Sequence, residues 1–111
     1  MMAKDTIMLC CAAGMSTSLL VTKMQEAARN QGKDVEIFAV SASEVDHELA
    51  NKSIDVVLLG PQVRYMQNDF KKKLAGRNNG ADIPLAIIDM RAYGMMDGAA
   101  VVQQAYHLIG K

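Results

Sequence analysis

The sequence carries no surplus of charge. Twelve Lys and Arg against twelve Asp and Glu leave a formal net charge of zero at pH 7. Without a bulk positive field there is no general attraction for nucleic acid or for an anionic membrane surface, so neither is expected as a partner. No segment approaches the roughly 18 consecutive apolar residues needed to cross a bilayer, which argues against direct membrane insertion. The start of the chain, with Lys4 and Asp5 before a short apolar run, does not read as a secretory signal. Cysteine is scarce too: there are two, and they are the neighbours Cys10 and Cys11. Adjacent cysteines bridge only through a strained ring, so a disulfide framework is excluded. Two thiols without a nearby His or third Cys make a poor zinc site. No metal and no cofactor is expected, and a reducing cytoplasm suits such a pair.

What is present is an ordinary globular composition, 50% hydrophobic and 22% charged. A chain of 111 residues can bury one core but not two, so residues 1–111 are expected to form one domain. No repeat, low-complexity tract or linker interrupts it. Nine methionines are many for this length; most read as core fillers, with some left for a partner-docking surface.

Short apolar runs alternate with amphipathic stretches. Thr6–Cys10 reads as a first strand and is followed by a helix from about Ser16 to Gln31, with Leu20, Met24, Ala27 and Ala28 at helical spacing. Val35–Val40 is a second strand. Ser43, with Glu44 and Asp46, starts a short helix to about Asn51. Asp55–Leu59 is a third strand ending at Gly60-Pro61, and Pro61 suits the first turn of a helix that buries Val63, Met66, Phe70 and Leu74. The segment from Gly76 to Asp82 is an irregular loop. Leu85–Asp89 is a fourth strand, and a last helix from about Gly98 carries Val102, Ala105, Tyr106 and Ile109 on one face. Alternating strands and helices imply an α/β fold with one open four-stranded parallel sheet and helices on both faces. The expected order is 2-1-3-4, with a phosphate-binding loop after strand 1. Ligands of such sheets bind at the carboxyl ends of the strands, at the switch point.

The most informative segment sits there. Leu9-Cys10-Cys11-Ala12-Ala13-Gly14-Met15-Ser16-Thr17-Ser18 runs from an apolar strand through a small-residue loop into a helix start rich in hydroxyls. Such a loop gathers backbone N–H groups and the positive end of the helix dipole, which together hold phosphate. Small side chains at Ala12, Ala13 and Gly14 leave the backbone open. Ser16, Thr17 and Ser18 supply caps and further donors. A helix N-terminus also lowers a thiol pKa, which makes Cys11 eligible as a nucleophile; the competing reading is a packing residue beside a turn. Cys10 belongs to the strand, on the side opposite Cys11, and reads as a small buried hydrophobe.

The loop has no Lys or Arg between Cys11 and Lys23. A cysteine phosphatase of this shape carries an arginine six residues after its nucleophile, where this chain has Thr17. Neutral donors suit a phosphoryl carrier better, although a small thiol phosphatase and a non-catalytic phospholigand module both stay open. A redox role is disfavoured because the spacing is not C-x-x-C. His47, within the second helix, and His107, near the end of the last, read as surface or capping residues.

Cys11-x-x-Gly14-Met15-Ser16-Thr17-Ser18-Leu19-Leu20 resembles the active-site loop of the IIB component of the phosphoenolpyruvate-dependent sugar phosphotransferase system, lactose/cellobiose/chitobiose family. Val56-Val57-Leu58-Leu59-Gly60-Pro61-Gln62, and Asp89 with Tyr93-Gly94-x-x-Asp97-Gly98, extend the likeness along nearly the whole chain. The resemblance implies a cytoplasmic phosphocarrier. Its Cys11 would take a phosphoryl group from a phosphohistidine on a IIA partner and pass it to a sugar on the membrane-embedded IIC partner. The sugar would be a β-linked disaccharide such as cellobiose, chitobiose or lactose. The chain departs from the family at Ala12, commonly serine, and in the longer loop from Gly76 to Asp82. Gly60, Pro61, Gln62 and Tyr93 are expected at the pocket rim. Met15, Met95 and Met96 are expected to form an apolar collar for docking. Asp97 is expected to cap the last helix, and Asp89 to accept hydrogen bonds locally rather than act as a general acid.

Overall fold

In a computed structural model that describes residues 5–11, 14–77 and 80–110, and only the backbone of residues 11 and 14–17, four strands form one sheet. The strands are β1 (Asp5–Cys11), β2 (Val35–Ser41), β3 (Val56–Leu59) and β4 (Leu85–Ile87). Their order is β2-β1-β3-β4 and every pairing is parallel, as the alternation of elements predicted. β1 pairs with β2 from Asp5 opposite Val35 to Cys11 opposite Ser41, and with β3 from Ile7 opposite Val56 to Cys10 opposite Leu59.

The two central strands are buried on both faces, so they are apolar throughout rather than alternating. Ile7, Leu9, Val56 and Leu58 face α1 (Gly14–Asn30) and α5 (Gly98–Ile109), where they meet Leu20, Met24, Ala28, Val101, Val102 and Ala105. On the opposite face Met8, Cys10, Val57 and Leu59 meet Val45 and Leu49 of α2 (Val45–Asn51) and Phe70 and Leu74 of α3 (Gln67–Leu74). The predicted apolar faces of these helices are therefore the buried ones, apart from Ala27, Met66 and Ile109, which are half-buried.

Several boundaries differ from the sequence reading, each for a local reason. β1 reaches Cys11 because β2 continues to Ser41 and supplies a partner for it. α1 starts at Gly14, not Ser16, so the hydroxyl residues Ser16, Thr17 and Ser18 lie inside the first turns instead of preceding the helix. The second helix opens with a 3₁₀ turn (Ala42–Glu44) whose cap is Ser41, not Ser43. The Ser41 amide and hydroxyl both donate to the Glu44 carboxylate, at 3.3 and 3.1 Å. Pro61 does open its helix, but as a 3₁₀ segment (Pro61–Met66) that bends at Val63 (φ −114°, ψ 20°) before α3 begins. The bend turns Val63 into the core, where it is 1% exposed. β4 ends at Ile87, and the residues read as its continuation cap an additional helix, α4 (Met90–Gly94).

Each edge of the sheet is tied to a helix by one glutamine. Gln25 of α1 donates to the Ile37 carbonyl on the β2 edge at 3.0 Å, and Gln104 of α5 donates to the Ile87 carbonyl on the β4 edge at 2.9 Å. These bonds satisfy edge carbonyls that would otherwise invite another strand.

α5 begins against α1 with no room for a side chain. A Cβ on Gly98 would overlap the backbone of Lys23 and Met24. Backbone cannot swing aside as a side-chain tip can, so Gly98→Ala is expected to destabilise the fold by about 2–3 kcal/mol, read as a lower urea midpoint at unchanged slope.

At the other end of α5, Tyr106 is buried beneath Lys33, whose Nζ lies 4.5 Å from the ring centroid. Burial, and then the Asp5 carboxylate that accepts its hydrogen bond, hold the phenol above its ordinary value of 10.0. A group with a raised folded pKa contributes stability below its unfolded pKa and loses it as pH rises through the folded value. Stability is therefore expected to fall above pH 10 more steeply in the natural chain than in Tyr106→Phe, measured by urea midpoints across that range.

Candidate functional site

The carboxyl ends of the central strands are joined by backbone. The Gly60 amide donates to the Cys10 carbonyl at 2.8 Å, so the chain leaving β3 runs beside the end of β1. The Ile88 amide likewise donates to the Leu59 carbonyl at 2.8 Å, which carries the same edge across to β4. The end of β1 at position 11 and the segment 60–62 thus lie together at the switch point between β1 and β3.

α4 brings in the fourth predicted rim residue. Asp89 caps it, its carboxylate accepting from the Ala92 amide at 3.0 Å. Tyr93, half-buried against the α1/α5 side of the core, then meets Gln62: the Gln62 Nε2 donates to the Tyr93 Oη at 3.1 Å. The turn after β3 and the helix after β4 are thereby connected side chain to side chain. Asp97 caps α5 in the same way, accepting from the Ala100 amide at 3.1 Å. Both carboxylates therefore have local structural duties, as read from the sequence.

Other candidates divide cleanly. Cys10 is fully buried among the residues facing α2 and α3, in agreement with its reading as a small hydrophobe. Ala12 and Ala13 lie outside the described residues, as do the side chains of Cys11, Met15, Ser16 and Thr17. Ser18 is the fifth residue of α1 and exposed, its carbonyl accepting from the Thr22 hydroxyl at 3.2 Å. Met95 is exposed as a collar residue should be, but Met96 is not. It takes a positive φ of 53° between α4 and α5 and packs against the core. His47 and His107 are both exposed, and the His47 carbonyl accepts from Asn51 at 2.7 Å. Among the described residues no group of three or more His, Cys, Asp or Glu is assembled to hold a metal. None of their helices is long and apolar enough to cross a membrane. A depression of about 530 Å³ lined by Asn51, Lys52, Asp55 and Arg77 lies at the amino end of the sheet, away from this edge.

Sequence reasoning missed α4 and its anchor. The Gln104 amide, besides donating to Ile87, accepts from the Asp89 amide at 3.1 Å, so one side chain on α5 fixes both the end of β4 and the start of α4. Asp89 three residues before Ala92, with good helix formers between, was the available signal for the helix. Nothing local marks Gln104.

The family profile described as "PTS system, Lactose/Cellobiose specific IIB subunit" matches residues 6–104. The chain is 49% identical over 111 residues to the PTS system cellobiose-specific EIIB component of Lactococcus lactis subsp. lactis (strain IL1403), covering 97% of this chain and 99% of the relative. It is 41% identical over 103 residues to the oligo-beta-mannoside-specific EIIB component of Bacillus subtilis (strain 168), covering 93% and 94% of the two chains. Among solved structures, the cellobiose-specific IIB component from Borrelia burgdorferi superposes with a TM-score of 0.75 at 30% identity, covering 97% of this chain and 94% of that one. The lactose-specific IIB domain from Streptococcus pneumoniae has the same fold, with a TM-score of 0.78 at 16% identity over 96% of this chain and 98% of that one. A parallel α/β sheet of this order, with its switch point at the end of β1, is in this company a phosphotransferase component of the IIB class. The chain belongs to the lactose/cellobiose-specific IIB family of the sugar phosphotransferase system.

Gln104 gives a test of how this edge is held. Gln104→Ala leaves the Asp89 amide and the Ile87 carbonyl without their partner, at an expected cost of about 1–2 kcal/mol. Hydrogen exchange should quicken first at the amides of α4, while those of β1 and β3 stay protected.

Proposed function

We propose that this chain is a cytoplasmic phosphocarrier that forms phosphocysteine at Cys11 and serves the uptake of a β-linked sugar. The observation that carries the reading is the placement of Cys11 as the last residue of a central strand, directly before a helix that begins at Gly14, in a member of the IIB family. The first amides of a helix lack intrahelical partners and carry the positive end of its dipole. In this proposal they and the loop Ala12, Ala13, Gly14, Met15, Ser16, Thr17 and Ser18 hold the phosphoryl oxygens. Gly60, Pro61, Gln62 and Tyr93 border the site.

The chemistry is two displacements at phosphorus. The Cys11 thiolate attacks the phosphohistidine of IIA; the S–P bond forms as the N–P bond breaks, and the imidazole leaves. A sugar hydroxyl presented by the membrane component IIC then attacks; the O–P bond forms, the thiolate leaves, and the hydroxyl proton goes to solvent or to a base on that component. Positioning and charge neutralisation are what such transfers chiefly require. Thr17 stands where a phosphatase would have its arginine, so water is given little help against the bound group. The curated relatives are named for cellobiose, galactose and oligo-beta-mannoside. That range supports a β-linked sugar, with cellobiose, chitobiose and lactose the first to be tried.

Incubation with phosphoenolpyruvate and the upstream phosphorelay, including a IIA protein of this class, should give an acid- and iodine-sensitive phosphorylated species. Mass mapping should place the added group on Cys11. Cys11→Ser should abolish the species and Cys10→Ser should not, since Cys10 is sealed in the core. A label found on Cys10 alone, or full transfer by Cys11→Ala, would sink the assignment.

A further inference from the structure

The chain holds three tyrosines, and their hydroxyls are placed very differently. Tyr106 donates to the Asp5 carboxylate at the amino edge of the sheet. Tyr65 is 78% exposed on the 3₁₀ segment Pro61–Met66. Tyr93 stands between these extremes. Its ring is half-buried against the α1/α5 side of the core, while its Oη accepts from Gln62 Nε2 at 3.1 Å. Gln62 belongs to the segment that leads into α3, on the other face of the sheet. The phenol therefore reaches across the carboxyl end of β3. That strand neighbours β1, and Gly60, just before Pro61-Gln62, is bonded to Cys10. The phenol oxygen is thus held beside the end of the strand that carries Cys11.

A phenol has one proton to give and lone pairs to receive with. The Gln62 amide occupies a lone pair, which leaves the proton to donate. Among the described residues nothing accepts it. Asp89 and Asp97, the exposed carboxylates of this edge, accept from the amides of Ala92 and Ala100 and bond neither Tyr93 nor Gln62. A half-buried donor fixed by a side-chain bond, with its proton unspent, is preorganised for an acceptor that arrives. The segment between Cys11 and Lys23 has no Lys or Arg to serve that acceptor, so a neutral O–H adds what the loop lacks.

We infer that the Tyr93 hydroxyl donates to a phosphoryl oxygen carried on Cys11, and that Gln62 is the positioning residue that aims it. The inference rests on the phosphocarrier reading and adds to it a side-chain donor from outside the loop after β1. The oxygens of a phosphoryl anion are strong acceptors. No proton changes hands: the hydroxyl shares its hydrogen, and the cargo gains a donor without a fixed cation.

The test is phosphorus-31 NMR of the full chain, phosphorylated through phosphoenolpyruvate and the upstream phosphorelay, with rates of uptake measured alongside. In Tyr93→Phe the phosphocysteine signal should move. The pH midpoint of its titration should rise, since losing a donor to the dianion favours the protonated form. Uptake should slow about tenfold, the scale of one hydrogen bond to a charged group. Gln62→Leu should move the signal in the same sense, and should add nothing further in the Tyr93→Phe background. Tyr65→Phe, on the same segment as Gln62, should leave signal and rate at their natural values. Urea midpoints certify that each variant is folded. An unchanged signal and midpoint in Tyr93→Phe overturn the inference even where uptake is slower, because a packing role of the ring would slow uptake without touching the phosphorus. A fully additive effect of Gln62→Leu in the Tyr93→Phe background overturns the positioning role. Failure of the phosphocarrier reading looks different: the unsubstituted chain would then show no phosphocysteine signal at all.

Discussion

The pairing of β1 with β3, two short parallel strands with no face open to water, is the constraint on which the rest depends. Every side chain from Ile7 to Cys10 and from Val56 to Leu59 is fully buried. Burial on that scale fixes register, because a one-residue slip would exchange the residues facing α1 and α5 with those facing α2 and α3. Met8 and Leu9 differ enough in shape that the two cores are not interchangeable. With register fixed, the Gly60 amide has one carbonyl to meet, that of Cys10, and the ends of the strands are brought level. The position of residue 11 relative to the turn after β3 is thus a consequence of packing several residues away.

From that base the edge is built outward by polar contacts of modest strength. Ile88 continues the ladder to Leu59; Gln104 holds the next turn; Asp89 starts α4; Tyr93 reaches Gln62. Each is a neutral or charge-assisted bond worth about 1 kcal/mol net, small beside the central burial. The arrangement therefore grades from a rigid middle to a rim that local opening can reach first. Such a gradient suits the proposed carrier, whose Cys11 stands at the end of the rigid middle strand while the rim beside it can adapt.

The parts of the fold that were legible in the sequence are those set by periodicity and by strong punctuation. Continuous apolar runs announced β1 and β3, helical spacing announced α1, α3 and α5, and Asp97 before Gly98 announced a cap. The parts that were not legible depend on which of several neighbouring groups wins a bond or a turn, or on where another strand ends. Ser41 displaced Ser43 as a cap because its neighbour Glu44 was placed to accept from it. β4 stopped short because β3 turns away at Gly60-Pro61 after Leu59, so residues beyond Ile88 have no strand to pair with. Met96 resembled its exposed neighbour Met95 in every sequence property, and only the turn between α4 and α5, with its positive φ, sends one inward and leaves the other out. The proposed site is read from one local segment, Cys11, Gly14 and the hydroxyl run, and so needs no partner distant in sequence.

The helix starts along this edge differ in what they have left to offer an anion. α4 and α5 each begin at an aspartate whose carboxylate already accepts from a first-turn amide, so their positive ends are satisfied and would repel a phosphoryl group. At the 3₁₀ turn after β2 the Glu44 carboxylate accepts from the Ser41 amide and hydroxyl, which places a negative charge there as well. Before α1 stand Ala12 and Ala13, whose side chains contain no oxygen. Self-capping at Asp89 and Asp97 and its omission before Gly14 thus have opposite effects. The first two stabilise the scaffold from within the chain, while the absence of a side-chain oxygen at Ala12 and Ala13 accords with the proposal that the helix after Cys11 receives an anion from outside. A cap introduced there, Ala13→Asp for instance, would stabilise α1 by about 1 kcal/mol and place a fixed negative charge where the proposed cargo must sit. The extra stability would come at the expense of transfer, which is a physical reason for a sequence to forgo a cap at the start of its longest helix.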